Sequence, residues 1–186
     1  MKKMLPIGIQ DFKELRERNC IYVDKTEILH KLITEGKYYF LSRPRRFGKS
    51  LTISTLNEIY EGNRELFKGL FIYDKIEWKK RPVIRIDFTK WKFKDIGLRT
   101  AIVKIILDNA AKYEIQLRDE EKILKENFGN VLGELIEKLH TKYNEKVALL
   151  IDEYDKPIID YMTDIDKAEE NRDILRDFYG IIKPMD

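Results

Sequence analysis

The sequence carries a single cysteine, Cys20, in 186 residues. A lone thiol excludes an internal disulfide framework and any cysteine-rich zinc site, and fits a reducing cytoplasm, the expected location. Only two histidines are present. His30 and His140 stand alone on helical stretches, neither with a metal-ligand partner at useful spacing, so no transition-metal site is assigned. No apolar run reaches the ~18 residues of a membrane-spanning helix, and Met1-Lys2-Lys3-Met4-Leu5-Pro6 is not followed by an apolar signal core, so no membrane partner is expected. Repeats and low-complexity tracts are lacking. So is a dominant sign of charge: 36 basic against 33 acidic side chains leave +3, a weak case for nucleic acid or an acidic partner.

What is present is enough apolar residue, 43% of the chain, to build a core. The length suits one domain, or one domain and part of another. Helical spacing marks a short stretch near Asp11 to Arg18 and a helix over 26–35, where Ile28, Leu29, Leu32 and Ile33 repeat, Asp24 or Thr26 can cap and Gly36 can end it. Residues 38–41 read as a short buried strand. A helix over 48–60, burying Ile53, Leu56 and Ile59, ends at Gly62. Residues 82–88 read as a second strand, with Pro82 at its start where no ladder donor is needed. Helices follow over 96–114 and around Phe128 to Leu139, then a strand over 147–151 and a helix near 167–182. Strands alternating with helices predict an α/β fold with a parallel sheet flanked by helices.

Two segments about a hundred residues apart carry the chemistry. Arg43-Pro44-Arg45-Arg46-Phe47-Gly48-Lys49-Ser50 follows the first predicted strand and opens a helix. Gly48, Lys49 and Ser50 match the end of the G-x-x-x-x-G-K-[ST] phosphate-loop, and Arg43 replaces its first glycine. Gly48 permits the tight turn that lets successive N–H groups face phosphates. Lys49 supplies a point charge for the β- and γ-phosphates. Ser50 is a Mg²⁺ ligand, and the helix N-terminus adds a field favourable to the anion. Arg45, Arg46, Phe47, Gly48, Lys49, Ser50 and Leu51 are the expected nucleotide-binding residues. Arg45 and Arg46 suit phosphate geometry but read equally as solvated or carboxylate-paired loop arginines.

The second segment, Val147-Ala148-Leu149-Leu150-Ile151-Asp152-Glu153, is an apolar strand ending in two carboxylates. Asp152 falls at the carboxyl end, where open α/β sheets bind ligands, and is the expected second Mg²⁺ residue. Glu153 is placed to orient or deprotonate an attacking water, making it, with Lys49, the expected catalytic pair. The bland alternative is a polar turn after a buried strand, beside a chance Gly-Lys-Ser tripeptide. Tyr154 is read as packing on the strand, and Asp155 as bonding Lys156 or capping the turn before Pro157.

Together these residues resemble the AAA-ATPase-like family, through Leu5-Pro6-Ile7-Gly8-Ile9-Gln10-Asp11-Phe12, Tyr22-Val23-Asp24-Lys25-Thr26, the arginine-rich phosphate-loop, Leu66-Phe67-Lys68-Gly69-Leu70, Leu150-Ile151-Asp152-Glu153-Tyr154-Asp155-Lys156-Pro157 and Leu175-Arg176-Asp177-Phe178-Tyr179. Family members often carry a restriction-endonuclease-like domain further on. The resemblance implies that Arg43 is normal for the family, that the cofactors are ATP and Mg²⁺, and that the fold is a P-loop NTPase of strand order 5-1-4-3-2 with the catalytic glutamate on strand 3. Residues 1–186 are then an N-terminal portion of that domain, with 1–36 an extension packed on the P-loop core.

Under this mapping strands 4 and 5 lie beyond residue 186. The chain is therefore expected to be an N-terminal fragment or truncated product, aggregation-prone alone, with strands 1 and 3 pairing directly if it stands by itself. The expected partners are ATP and either further copies of the chain or a missing C-terminal region. A nucleotide-binding switch that does not hydrolyse is the alternative to an ATPase. A nucleic-acid-binding module is a third reading, resting on Lys79-Lys80-Arg81 and Lys90-Trp91-Lys92-Phe93-Lys94, and set against a solvated loop anchored by its aromatics. Asp24-Lys25-Thr26 reads locally as a helix cap with a buried or paired lysine, the alternative being a contribution to the nucleotide pocket.

Overall fold

Asp11 opens the first helix, α1 (Phe12–Glu17), by accepting the Glu14 N–H, and its other carboxylate oxygen accepts the Ser54 hydroxyl at 2.9 Å. That hydroxyl in turn accepts the Phe12 N–H at 2.9 Å. The structure, a computed structural model, describes residues 3–42, 44 and 46–183. The chain divides into two compact units, Met1–Val83 and Ile84–Asp186.

In the first unit, helix α2 (Thr26–Glu35) has the predicted bounds. Its N-terminus is held by Asp24, whose Oδ1 accepts from the Thr26 N–H and hydroxyl while Oδ2 accepts from the Phe71 N–H at 2.7 Å. The Thr26 hydroxyl also accepts the Ile72 N–H. The N-cap position itself is Lys25, which makes no side-chain cap bond and is exposed rather than buried, so Asp24 holds the helix start from one residue outside it, through an Asx turn onto Thr26. Arg16 fixes the same region by donating to the Leu66 and Lys68 carbonyls at 2.6 and 2.7 Å.

Helix α3 (Lys49–Tyr60) buries a more polar face than its sequence predicts. Ser54, Thr55, Glu58 and Ile59 are buried, whereas Ile53 and Leu56 are half-exposed. Burial of these polar groups is tolerated because each is hydrogen-bonded: Ser54 to Asp11, Thr55 to the Leu51 carbonyl, and Glu58 to the Asn57 and Asn63 amides. Phe12, Leu29, Ile59, Phe67 and Ile72 form the apolar centre of the unit.

Residues 38–41 are not a strand. Tyr38, Tyr39 and Phe40 are more than half exposed, and among the described residues the sheet consists of two other strands. A strand needs a hydrogen-bonded neighbour, and the pairing anticipated between this segment and residues 147–151 is not in that sheet.

The sheet pairs β1 (Val83–Asp87) with β2 (Ala148–Asp152) in parallel, flanked by helices, so the protein is α/β. A parallel pair requires a long crossover, supplied by α4 (Phe93–Ile96), α5 (Leu98–Lys112), α6 (Glu120–Ile123) and α7 (Phe128–Tyr143). After β2 come the single turn α8 (Lys156–Ile159) and α9 (Ile165–Tyr179).

Ile84, Ile86 and Phe88 meet Ile102, Ile105 and Ile106 of α5, Val131, Leu132 and Leu135 of α7, and Phe178 of α9 in one apolar core. At Gly129 a Cβ would stand 2.7 Å from the Asp177 carbonyl, so only glycine allows α7 and α9 to approach this closely. Asn109 of α5 closes one edge of β1, accepting the Arg85 N–H and donating to the Arg85 carbonyl, both at 2.9 Å. Its side chain thereby does what a neighbouring strand would do.

Candidate functional site

The loop ahead of α3 reaches its helix through two left-handed residues, Arg46 at φ 67° and Gly48 at φ 76°. For Gly48 that conformation is available without steric cost; a Cβ there would meet no neighbour, so backbone conformation alone calls for glycine. For Arg46 the same region is strained. The Phe47 N–H donates to the Pro44 carbonyl at 3.3 Å and tightens the turn.

Gly48 is the N-cap of α3 and no side chain caps the helix there. The first N–H groups of a helix have no intrahelical acceptor, so this end is chemically suited to an anion. Lys49 and Ser50, in the first turn, are half-buried, and Leu51 follows on the same turn, also half-buried. Phe47 is 63% exposed. Arg43 and Arg45 lie outside the described residues.

In the second unit the strand β2 delivers Asp152 at its carboxyl end, 6% exposed. Val147, Ala148, Leu149 and Ile151 are only half-buried, so the continuously apolar run is less covered than its composition predicts. Glu153 leaves the strand in the left-handed region, at φ 51°, and its N–H donates to Asp152 Oδ1 at 3.1 Å. This bond fixes one oxygen of the Asp152 carboxylate. The Glu153 carbonyl accepts the Lys156 N–H at 3.1 Å, closing the turn into α8. Tyr154 is 42% exposed rather than packed on the strand. Asp155 occupies the N-cap position of α8, without a side-chain cap bond, and Lys156 instead donates to Asp160 at 2.9 Å.

Each half of the predicted constellation thus has a backbone built for it: a glycine-turned, uncapped helix start carrying Lys49 and Ser50, and a buried strand-end carboxylate followed by a strained glutamate. Hydroxyl and carboxylate oxygens are the hard donors Mg²⁺ prefers, so Ser50 and Asp152 fit that ion. The left-handed conformations of Arg46 and Glu153 were not foreseen, because a non-glycine residue carries no compositional mark of φ.

The segment considered for nucleic acid is built as an anchor. Phe93 is buried, and Trp91 packs against the core. Lys90 pairs with Asp108 at 2.7 Å and Lys94 with Asp160 at 3.9 Å. The Trp91 indole N–H is also taken, by Asp108 at 3.2 Å. Phe93, committed to the interior, is not available as a stacking platform, and Trp91 is partly covered.

A family model described as Predicted AAA-ATPase matches residues 6–186. The chain belongs to the AAA-ATPase-like family. It is also 43% identical over 188 residues to a protein of Azotobacter chroococcum mcd 1 described as an uncharacterized protein in the vnfD 5'region. That match covers the whole of this chain and 35% of the relative, so the chain spans about a third of the relative's length. No solved structure matches it. Membership makes nucleotide binding the coarse expectation for this AAA-ATPase-like chain. Among the described residues no helix is long and apolar enough to cross a membrane, and no cluster of metal-ligating side chains forms by itself.

Proposed function

We propose that this chain binds ATP through Arg45, Arg46, Phe47, Gly48, Lys49, Ser50 and Leu51, and hydrolyses it with Mg²⁺. Lys49 would neutralise the β- and γ-phosphates, the helix start of α3 would donate N–H groups to them, and Ser50 and Asp152 are the residues that would hold the metal ion. Glu153 orients and deprotonates the attacking water. Mg²⁺, when bound, would supply neutralisation of phosphate charge. The observation that carries the reading is the left-handed Gly48 leading into an α3 whose N-terminus has no side-chain cap, in a chain of the AAA-ATPase-like family.

The fold subtype is part of the proposal. In the order 5-1-4-3-2, strands 2 and 3 are neighbours, and the pairing of β1 with β2 supports assigning them to those places. Residues 38–41 form no strand, so among the described residues only strands 2 and 3 of that order would be present. The two units are read as parts of one such domain, with residues 1–36 packed on α3 through Asp11 and Ser54.

ATP binding and turnover with Mg²⁺ test the reading. Lys49→Ala is expected to weaken binding at least about tenfold, the worth of a charge-assisted phosphate contact. Glu153→Gln is expected to keep ATP binding and to lower turnover by about 10²–10⁴-fold. Wild-type binding without turnover would leave the non-hydrolysing switch. Variants that change neither quantity would remove the site assignment.

A further inference from the structure

The turn that follows β2 is held by a side chain that belongs to neither sequence motif. Asn171 lies on α9, 1% exposed, on the stripe it shares with Ala168, Leu175 and Phe178. Its Nδ2 donates to the Pro157 carbonyl at 2.8 Å. Pro157 is buried in the one-turn helix α8. The backbone donors after it pass its carbonyl over: the Asp160 N–H goes to Lys156 and the Tyr161 N–H goes to Ile158, each at 3.0 Å. The Asn171 amide supplies the missing donor. Its own Oδ1 is buried with no hydrogen-bond partner among the described residues. The bond to Pro157 is therefore what accounts for an amide on an otherwise apolar stripe.

The connection runs directly back to the glutamate. Lys156, the residue before Pro157, donates its N–H to the Glu153 carbonyl, and Glu153 donates its own N–H to Asp152. A glutamate in the left-handed region persists only where its surroundings over-determine it. On one side Glu153 is fixed by the strand. On the other it is fixed by the start of α8, and α8 is fixed by Asn171.

We infer that Asn171 is the positioning residue for Glu153: by clamping the Pro157 carbonyl it locks α8 and with it the left-handed turn that aims the glutamate. The inference rests on the reading of Glu153 as the water-orienting base. Asn171 touches no reacting atom; it acts through the backbone of residues 153–157.

Two variants of the full chain test it. Asn171→Asp keeps the shape but sets an acceptor against the Pro157 carbonyl, and Asn171→Leu fills the stripe without any donor. Hydrogen exchange of the nucleotide-free protein is expected to speed up about tenfold at the amides of Lys156 and of residues 158–161, the loss of one buried hydrogen bond, while amides in the middle of α7 keep their protection. ATP affinity should stay within about twofold and turnover should fall about tenfold, a split that a general loss of structure would not produce. In a Glu153→Gln background, Asn171→Asp should cost no further turnover, because the residue acts through Glu153.

Unchanged exchange at Lys156 and residues 158–161 in Asn171→Leu overturns the inference, and so does parallel loss of affinity, turnover and α7 protection in that variant. If Asn171→Asp does not fold, Asn171→Leu carries the test alone. A wild-type chain that binds ATP but never turns it over overturns the role given to Glu153 and the aiming that rests on it, whereas the exchange arm still separately decides whether Asn171 locks α8.

Discussion

Thr26, Ser54, Thr55 and Glu58 are buried in the first unit, and hydrogen bonds account for each of them. The second unit is built around aliphatic and aromatic side chains of β1, α5, α7 and α9. Its buried Asn109, Asp152 and Asn171 each bond to backbone at the strands or at the turn after β2. The difference separates two ways of fixing a helix. In the second unit, non-directional burial does most of the work, and each fully buried Ile, Leu or Phe contributes roughly 1.5–3 kcal/mol. In the first unit, α3, which carries Lys49 and Ser50, is oriented by the Ser54 hydroxyl, which donates to the distant Asp11 carboxylate and accepts the Phe12 N–H. That arrangement specifies orientation more sharply than it adds stability, since a typical hydrogen bond contributes only about 1 kcal/mol net.

The contrast predicts unequal sensitivities. Phe178→Ala, at a ring with no exposure, should cost about 3–5 kcal/mol, through lost burial and a cavity. Denaturant melts should show it, with exchange protection collapsing across α5, α7 and α9. Ser54→Ala strands the Phe12 N–H and one Asp11 oxygen and should cost about 1–3 kcal/mol. Its effect on exchange should centre on α1 and α3; an effect no larger than that of a surface substitution would break the comparison.

Asp24→Asn sharpens it through pH. Partial burial works against the Asp24 charge, but hydrogen bonds from the Thr26 hydroxyl, the Phe71 N–H and the Thr26 N–H outweigh it and hold the carboxyl below the ordinary carboxylate value. The folded state therefore binds its proton less readily than the unfolded state, and the stabilisation is full above the unfolded pKa of about 3.9. It is lost as pH falls through the lower folded value. At neutral pH the substitution should cost about 1 kcal/mol, in the range of a lost hydrogen bond. In urea melts the gap between wild type and variant should close as pH is taken from 6 to below 3. The smallest effect is expected at Arg64→Ala, which removes an exposed 3.0 Å pair with Asp74; such pairs contribute up to about 1 kcal/mol, and less as salt is raised.

Much of the second unit was legible in the sequence, because strong periodicity marks its elements. The stripe Ala101, Ile102, Ile105, Ile106 predicts α5, and the apolar run ending in Asp152 predicts β2, each within two residues of where it is found. A polar residue on such a stripe was the available sign for Asn109 and Asn171: each takes a position where an aliphatic side chain would continue the pattern. Residues 38–41 read as a strand because they are apolar and aromatic, but a strand is defined by its neighbour, and composition does not say whether that neighbour is there. The polar face of α3 is hidden from the sequence for a related reason. Ser54, Thr55 and Glu58 look solvated until Asp11 and Asn63, which satisfy two of them, are brought alongside.

By itself the sequence determined the chemistry on offer: Gly48-Lys49-Ser50 at a helix start, Asp152-Glu153 at a strand end, and the α/β alternation around them. These depend on residue type and on spacing along the chain. The tertiary structure alone decided which polar groups are buried, that Glu153 turns left-handed out of β2, and that a side chain from α9 holds the turn behind it. Those outcomes depend on which donors and acceptors meet after folding, and local spacing does not encode partners far apart in the chain.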